Sequence, residues 1–250
     1  MRTICIMNHK GGVGKTTTAI NLAAGLSRKS KRVILVDLDP QGNVDTSLRI
    51  RAENNIYDAM TGKIMLNSCI SNVATNFDVI SSTESLTKAE YYLYRQEENK
   101  LLLKKILGTI QGYDYMIVDC PPSLGILNQN ALAACKEVFV PTSTDFLGID
   151  ALRKMKEIVR DINDAYKANC KITKVIPTMY DTRNKICKQT LVEIKNEFEN
   201  LVSTPIRINS KVKEAPKHGK SIFSYAKSSP GAQDYGKLVD EVLAMEQQPE

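Results

Sequence analysis

Apolar residues along this chain fall into short continuous runs that alternate with longer stretches of helical spacing. The runs at residues 33–36 and 115–118 are typical of strands buried on both faces of a parallel sheet. Over residues 15–28 the apolar positions recur every three or four residues, as in an amphipathic helix. Strand–helix–strand units of this kind join by right-handed crossovers. The alternation predicts an α/β fold with one doubly wound, mostly parallel sheet and helices on both faces.

The same pattern extends along the whole chain. The predicted strands are residues 2–7, 33–36, 77–80, 115–118, 137–140 and 172–176. The predicted helices are residues 15–28, 97–110, 128–135, 149–166, 188–201 and 231–245. Residues 203–230 are rich in Pro, Ser and Lys and are predicted to form an irregular basic segment at the surface. Because no linker or internal repeat interrupts the pattern, residues 1–250 are predicted to be a single domain.

Composition matches an ordinary globular protein, with 42% hydrophobic and 25% charged residues. These values exclude intrinsic disorder, a collagen-like repeat and a pure coiled coil. No apolar run approaches the ~20 residues that are needed to cross a bilayer. The apolar stretch at residues 1–7 is too short for a signal peptide and leads directly into a glycine-rich loop. We therefore expect a cytoplasmic protein.

The cysteines are scattered, with no C-x-x-C pair and no histidine cluster beside them. Their spacing does not support a metal or redox site, which is the alternative to simple packing. We expect them to be small core residues that need no disulfides, as is usual for cytosolic thiols. The six are Cys5, Cys69, Cys120, Cys135, Cys170 and Cys187.

Positive charge is concentrated in one third of the chain. Residues 151–227 hold 17 Lys and Arg against 8 Asp and Glu, whereas the remainder holds 17 against 20. The net charge of the whole chain is +6. A basic third on a slightly acidic body indicates a surface for an anionic polymer such as nucleic acid, with a solvated basic face as the alternative.

The residues that follow the first strand have the composition of a phosphate-binding loop. Residues 9–17 read HKGGVGKTT, and glycine lets backbone amides turn inward around phosphate oxygens at the start of a helix. Lys15 would reach the β- and γ-phosphates, and the Thr16 hydroxyl would bind Mg²⁺. The first glycine of the general pattern G-x-x-x-x-G-K-[ST] is replaced by His9, and a second lysine, Lys10, opens the loop.

This stretch resembles the deviant Walker A box of the ParA/MinD family of ATPases. The resemblance implies that Lys10 crosses the interface of an ATP-bound dimer and contacts the partner's nucleotide. A positive charge there would stabilise charge that develops on the transferred phosphoryl group. Lys10 and Lys15 are therefore predicted to be catalytic, with ATP and Mg²⁺ as cofactors. The predicted nucleotide-binding residues of the loop are Lys10, Gly11, Gly12, Val13, Gly14, Lys15, Thr16 and Thr17.

Carboxylates follow two of the predicted strands, at the sheet edge where open α/β sheets bind ligands. Asp37 and Asp39 lie in DLDPQGN, residues 37–43, which is similar to the family's switch I. That similarity implies that Asp39 orients and polarises the attacking water and that Asp37 supports the Mg²⁺ shell, loop capping being the alternative for Asp37. Asp119 ends an apolar run in the manner of a Walker B strand and is predicted to hold a Mg²⁺-bound water. Residues 121–125, PPSLG, resemble switch II.

Two later segments resemble those that hold the adenine in partitioning members of the family. They are residues 178–184, TMYDTRN, and residues 205–209, PIRIN. Met179 and Arg207 are predicted from them to contact the base. Many partitioning members read I-P-R-N where this chain has IRIN at residues 206–209.

In the same members, basic residues of these regions form a non-specific DNA surface that is complete only in the ATP-bound dimer. Phosphate contacts of this kind give affinity that depends on salt and not on base sequence. The basic residues are not interleaved with aromatic ones, which argues against stacking on single strands. A solubilising surface is the alternative. The predicted DNA-binding residues are Arg183, Lys185, Lys188, Lys211, Lys213, Lys217 and Lys220.

The resemblance runs to about residue 245 and implies an ATPase that segregates DNA. ATP would close a sandwich homodimer, the dimer would bind double-stranded DNA on the nucleoid, and a ParB-type centromere-binding protein would stimulate hydrolysis and release. No N-terminal helix-turn-helix precedes the first predicted strand, so we expect no sequence-specific repressor role.

Two other functions stay open at this point. A MinD-like regulator bound to the membrane would need a basic amphipathic C-terminal helix, whereas residues 237–250 are acidic and end in Pro-Glu. We therefore predict no membrane partner. A metabolic relative, such as an iron–sulfur carrier or an amidoligase, is opposed by the cysteine spacing and by the lack of any sign of a second substrate pocket.

Overall fold

The computed structural model describes residues 1–95 and 101–247. Within them, seven strands form one sheet in the order β3-β4-β2-β5-β1-β6-β7. The strands are β1 (Arg2–Ile6), β2 (Val33–Asp37), β3 (Ile70–Ala74), β4 (Phe77–Ile80), β5 (Tyr115–Asp119), β6 (Glu137–Ser143) and β7 (Lys171–Thr178). All neighbouring strands are parallel except the edge strand β3, which pairs antiparallel with β4. The predicted doubly wound α/β fold is confirmed.

Helices surround this sheet. In the described residues they are α1 (Lys15–Arg28), α2 (Asn43–Leu48), α3 (Ile56–Met60), α4 (Leu86–Arg95), α5 (Leu102–Leu107), α6 (Ile126–Ala134), α7 (Phe146–Tyr166), α8 (Lys185–Phe198), α9 (Ser210–Glu214), α10 (Ile222–Tyr225) and α11 (Pro230–Ala244). Short 3-10 turns lie at Leu66–Cys69, Glu199–Leu201, Ala215–His218 and Met245–Gln247.

Alternating side chains of the strands build two hydrophobic layers. In β1, Ile4 and Ile6 pack with α1, α2, α10 and α11 on one face of the sheet. Cys5, and Met7 just beyond the strand, pack on the other face, against α3 to α8. Both layers consist mainly of apolar side chains at the sheet, which explains why the central strands read as continuous hydrophobic runs.

Parallel register brings the loops of the predicted site to one edge. Ile6 pairs with Asp119 across β1 and β5, and Asp37 pairs with Asp119 across β2 and β5. The chain therefore leaves all three central strands side by side. Across β6 and β7, Ser143 pairs with Thr178, so the loops after these strands are also neighbours.

Residues 203–230 differ from the prediction of an irregular segment. They contain α9, the 3-10 turn Ala215–His218 and α10. Ile206, Ala215 and Ile222 are buried and anchor these short pieces to the domain. Because the anchors are far apart in sequence, the segment shows no helical period long enough to recognise.

The bounds of two other predicted helices also change. Of the predicted helix 97–110, residues 97–100 lie outside the described part of the chain, and α5 covers Leu102–Leu107. The predicted helix 188–201 begins earlier, at Lys185, because the Asn184 side chain caps it by accepting a hydrogen bond from the Ile186 amide at 2.8 Å.

All six cysteines are free thiols and are buried, which confirms them as core residues. Burial raises the pKa of the Cys120 thiol. Nowhere in residues 1–95 and 101–247 do three His, Cys, Asp or Glu side chains group in a way that could hold a metal ion. Over the same residues, none of the helices combines the length and the apolar character that spanning a bilayer requires.

Candidate nucleotide site

The loop between β1 and α1 has the backbone of a phosphate cradle. Gly12 and Gly14 have φ values of 73° and 86°, in the left-handed region that glycine adopts without strain. Within the described residues, a Cβ added at Gly11 or Gly12 would meet no atom closer than 4 Å, so there is open space beside both glycines. Helix α1 begins at Lys15 with no side-chain cap from the described residues. Its first amides are therefore available to an anion.

Lys15 lies at the floor of this cradle. The side chain is buried, and its Nζ donates a hydrogen bond to the Lys10 carbonyl at 3.3 Å. Burial lowers the pKa of Lys15, although the nearby carboxylates of Asp119 and Asp39 act in the opposite direction. A desolvated ammonium with one weak partner is well suited to accept a phosphate oxygen.

Lys10 has an ion-pair partner in its own chain. Its Nζ lies 2.8 Å from Asp145 Oδ1 and 2.9 Å from the Oγ of Ser143, the last residue of β6. Asp145 also caps α7, because its carboxylate accepts a hydrogen bond from the Gly148 amide at 2.7 Å. Burial opposes ionisation of Asp145, but the bonds from Lys10 and Ser143 outweigh it and hold the pKa of Asp145 below its usual value.

Asp119 is fully buried at the end of β5. Neither of its carboxylate oxygens accepts a well-formed hydrogen bond from the described residues. Burial raises the pKa of Asp119 to about 7, and the adjacent Thr16 hydroxyl and Lys15 ammonium lower it only in part. An unpaired buried carboxylate is costly, which is common where a cation or a ligand completes the site.

Asp37 and Asp39 organise the loop that follows β2. Asp37 is fully buried, and it accepts hydrogen bonds from the amides of Asp39 at 2.8 Å and Val44 at 3.2 Å. Burial and the nearby Asp119 carboxylate raise the pKa of Asp37 well above its usual value. Asp39 accepts a bond from the Gln41 amide at 3.0 Å through one oxygen. The other oxygen of Asp39 has no such bond to a backbone amide of the loop in the described residues.

The donor set at this edge fits a magnesium ion. Mg²⁺ is bound by one or two protein oxygens and keeps several waters. Thr16 supplies a hydroxyl beside Asp119, whose carboxylate oxygens have unused acceptor capacity. Asp37 fits less well, because each of its oxygens already accepts a backbone amide.

The loop that resembles switch II is held by a side chain that the sequence prediction missed. Asn128, buried in α6, donates from its amide to the carbonyl oxygens of Pro121, at 3.1 Å, and of Ser123. Both bonds reach back across the turn that follows Asp119. This loop is therefore fixed from α6 in the conformation described.

The two predicted base-binding residues line one cavity beside the phosphate loop. The cavity measures about 170 Å³ and lies against Val13 and Gly14. Met179 lies on its wall with 45% exposure and a left-handed φ of 53°. Arg207 also lines the cavity, and its guanidinium is held by the buried Asp234 at 2.7 Å.

The predicted DNA-binding residues lie on two neighbouring stretches of chain. The pairing of Tyr180 with Arg207 brings the loop after β7 next to the segment that leads into α9. Arg183 pairs with Asp181 at 2.9 Å, and Lys211 pairs with Glu214 at 2.8 Å, both at the surface. The side chains of all seven predicted residues are exposed. They are Arg183, Lys185, Lys188, Lys211, Lys213, Lys217 and Lys220.

Other contributors to the site come from positions far away in the sequence. The Thr178 hydroxyl donates to the Val13 carbonyl at 2.9 Å and ties the phosphate loop to β7. The Asp145 carboxylate forms the ion pair with Lys10 that is described above. The helix-capping pattern before residue 146 could have located Asp145 as a cap, but no sequence signal relates it to a lysine 135 positions away.

Comparison with known proteins agrees with this geometry. A family model described as an AAA domain matches residues 1–172. The chromosome-partitioning ATPase Soj of Treponema pallidum is 37% identical over 250 residues, which cover 99% of each chain.

Solved structures share the whole architecture. Cobyrinic acid a,c-diamide synthase from Mycobacterium smegmatis, crystallised with ADP and magnesium, has a TM-score of 0.85 at 27% identity, over 99% of this chain and 96% of that one. A putative plasmid partition protein from Borrelia burgdorferi, bound to AMPPNP, has a TM-score of 0.85 at 27% identity, over 98% of this chain and 99% of that one.

A glycine-rich loop and strand-end carboxylates at one edge of a doubly wound sheet define a P-loop nucleotide hydrolase. The full-length similarity to partitioning proteins narrows this class. The chain belongs to the ParA/Soj family of partitioning ATPases.

Proposed function

We propose that this protein is an ATP-driven switch for DNA segregation. ATP binding closes a sandwich homodimer, and the dimer binds double-stranded DNA without regard to sequence. A ParB-type centromere-binding protein then stimulates ATP hydrolysis, which releases the DNA. The names of similar proteins support a role in DNA partitioning. Soj of Treponema pallidum is a chromosome-partitioning ATPase, and the structural neighbour from Borrelia is a putative plasmid partition protein.

One observation carries the proposal: the nucleotide cavity and the basic surface share a structural element. Helix α9 supplies Val212 and Lys213 to the cavity wall beside Gly14. The same helix carries Lys211, and the 3-10 turn that follows it carries Lys217. A change in what fills the cavity therefore acts directly on the segment that bears the positive charge.

Within the site, each residue has a definite task. Amides of the glycine loop and the Lys15 ammonium bind the phosphates, and Lys10 leaves Asp145 to reach the nucleotide of the partner. The free carboxylate oxygen of Asp39 orients the attacking water. Thr16 and Asp119 would hold Mg²⁺, with Asp37 ordering the loop behind them. The ion supplies positive charge that offsets the charge on the phosphate oxygens.

The DNA surface is assigned to the seven exposed basic residues on the two neighbouring stretches. Dimerisation would double this surface, and affinity for a polyanion rises steeply with the number of phosphate contacts. This arrangement explains why DNA binding would require ATP. The same property would hold the protein on the nucleoid in the cytoplasm.

The first test of the proposal measures the molecular mass of the protein in solution with each nucleotide. Light scattering of the purified Asp39→Ala variant with ATP and Mg²⁺ should give twice the monomer mass, and ADP should give the monomer. In the Lys10→Ala variant with ATP we expect a monomer, because the cross-interface contact is lost. A monomer for Asp39→Ala with ATP, under conditions where nucleotide binding is demonstrated, would remove the dimer switch from the account.

A further inference from the structure

Helix α2 starts inside the loop that carries Asp37 and Asp39. The Asp37 carboxylate binds the amides of both Asp39 and Val44, so one buried side chain joins the loop to the first turn of the helix. Gly42, which precedes α2, has a φ of 60°, and a Cβ there would lie 2.9 Å from the Ser82 carbonyl oxygen. The start of α2 therefore cannot move independently of this loop.

The other end of α2 is attached to the basic segment. Arg49 caps the helix in a left-handed conformation, and its Nη2 donates to the Lys217 carbonyl at 2.6 Å. The Arg49 stem packs on Gly219, where an added Cβ would lie 2.9 Å from Cγ and Cδ of the arginine. Lys217 and Lys220 flank this contact.

The hydrogen bond from Arg49 to the Lys217 carbonyl is strong for a surface contact. The carbonyls of Ala215 and Pro216 accept bonds from the amides of Lys220 and Gly219, which follow the 3-10 turn. The next carbonyl, that of Lys217, accepts the guanidinium of Arg49 instead. A bond from a charged donor is stronger than a neutral one, and it satisfies a carbonyl at a helix end.

Helix α2, which links the Asp37–Asp39 loop to the basic segment, is also short and rigid. Helix α2 has six residues, which corresponds to about 9 Å at 1.5 Å per residue. Its apolar residues, Val44 and Leu48, lie in the same buried cluster as Ile222, which belongs to the basic segment. Because α2 is short and its apolar side is packed into the core, it is a continuous physical connection between the loop and the basic segment, along which a shift could be coupled.

We propose that Arg49 is a positioning residue that links the Asp37–Asp39 loop to Lys217 and Lys220, so that the nucleotide state of the loop sets the affinity of the basic segment for DNA. The inference rests on the proposed function, because it concerns regulation of the same DNA surface. Arg49 acts here through the Lys217 backbone and not mainly through its own charge.

The chain offers a matched control in Arg51. This residue is exposed and lies two positions from Arg49, so Arg51→Ala removes the same charge from the same region. Dissociation constants for an arbitrary duplex would be measured with a non-hydrolysable ATP analogue and with ADP. For Arg49→Ala we expect the ratio of the two constants to fall about fivefold, within the usual range of coupling between sites. For Arg51→Ala we expect both constants to change together and their ratio to stay the same. Equal ratios in Arg49→Ala, Arg51→Ala and the wild type would overturn the inference.

A second measurement needs no DNA. Hydrogen exchange of the amides at residues 215–221 would be compared with and without the ATP analogue. In the wild type we expect slower exchange with the analogue. In Arg49→Ala we expect this response to be lost while protection of the phosphate loop is retained. If the wild type binds no DNA, the proposed function fails, and the exchange data still decide the role of Arg49. An unchanged response in Arg49→Ala would refute that role, and thermal melts of both variants would confirm that they are folded.

Discussion

At the scale of single residues, Asp119 shows how far the site departs from a purely structural design. Its carboxylate is fully buried, and among the described residues neither oxygen has a well-formed hydrogen-bond partner, whereas most other buried polar side chains have one. Burial favours the neutral acid, and the Asp39 carboxylate adds to that effect. The folded protein therefore holds a group that is unstable in its charged form until a cation binds.

This arrangement predicts a dependence of stability on pH. The folded pKa of Asp119, about 7, lies above the unfolded value, so the folded state binds the proton more tightly and stability falls as pH rises from 4 to 7. In EDTA and without nucleotide, Asp119→Asn should raise the free energy of unfolding by about 1–3 kcal/mol at pH 8, with a smaller gain at pH 4. Urea unfolding at both pH values measures the difference. A gain that is the same at pH 4 and pH 8 would contradict this explanation.

The second prediction at this scale concerns Asp39. Asp39→Ala removes the carboxylate that we propose to orient the attacking water, and it leaves the residues of the phosphate loop and Arg49 unchanged. We expect ATP hydrolysis to fall by about 100-fold or more, as is typical on loss of a group that activates a nucleophile. ATP-dependent DNA binding should persist. Phosphate release and DNA binding of the same preparation provide the two readings, and normal turnover would remove Asp39 from its role.

The sequence predicted the site best where the functional residues lie close together along the chain. The loop from Lys10 to Thr17 and the strand-end aspartates are recognisable because their spacing along the chain creates the site. Asp145 and Asn128 could not be found in this way. Each meets its partner only after strands from different parts of the chain have aligned, and a single sequence carries no signal for such contacts.

At the scale of elements, α1 and α11 pack unusually closely. Gly25 in α1 faces Val239, and a Cβ there would lie 2.4 Å from Val239 Cγ2 and 3.0 Å from Phe223. Val239 is buried and Phe223 is half-buried, so room for an added methyl group is limited. The approach of the helices sets the position of α1, and through it the position of the phosphate loop at its N-terminus.

Two glycine substitutions test this packing against intrinsic helix propensity. Gly25→Ala should lower the free energy of unfolding by about 1–3 kcal/mol, because the added methyl group overpacks the interface. A Cβ added at Gly236 in α11 would meet no atom within 4 Å in the described part of the chain, so Gly236→Ala should raise the free energy of unfolding by about 0.5–1 kcal/mol. Urea unfolding of the two variants gives the comparison. Changes of the same sign would show that close packing at Gly25 is not decisive.

Apart from α4, a ten-residue helix at Leu86–Arg95, the elements missed from the sequence are short or lie at an edge. Helices α2 and α3 have six and five residues, too few for a helical period to appear. Strand β3 lies at the sheet edge with only partial burial, so it lacks the continuous apolar run of the central strands. The central strands and α1 were predicted well because burial on both faces, or a full amphipathic stripe, dictates their composition.

At the scale of the whole molecule, the basic residues and the candidate nucleotide site lie at the same edge of the sheet. The excess of positive charge in residues 151–227 includes the loop after β7 and the segment around α9, both next to the nucleotide cavity. Charge that is concentrated on one side of a protein attracts a polyanion to that side. This arrangement supports the proposal that nucleotide controls DNA binding.

The most direct test measures binding of the purified protein to an arbitrary duplex with ATP, ADP or no nucleotide, over a series of salt concentrations. We predict tight binding with ATP and Mg²⁺ only. We also expect the logarithm of the association constant to fall linearly with the logarithm of the salt concentration, with a slope of about −0.9 for each phosphate contacted. The slope should be shallower when one of the predicted basic residues is replaced by alanine. Equal binding in all three nucleotide states, or no binding in any of them, would contradict the account.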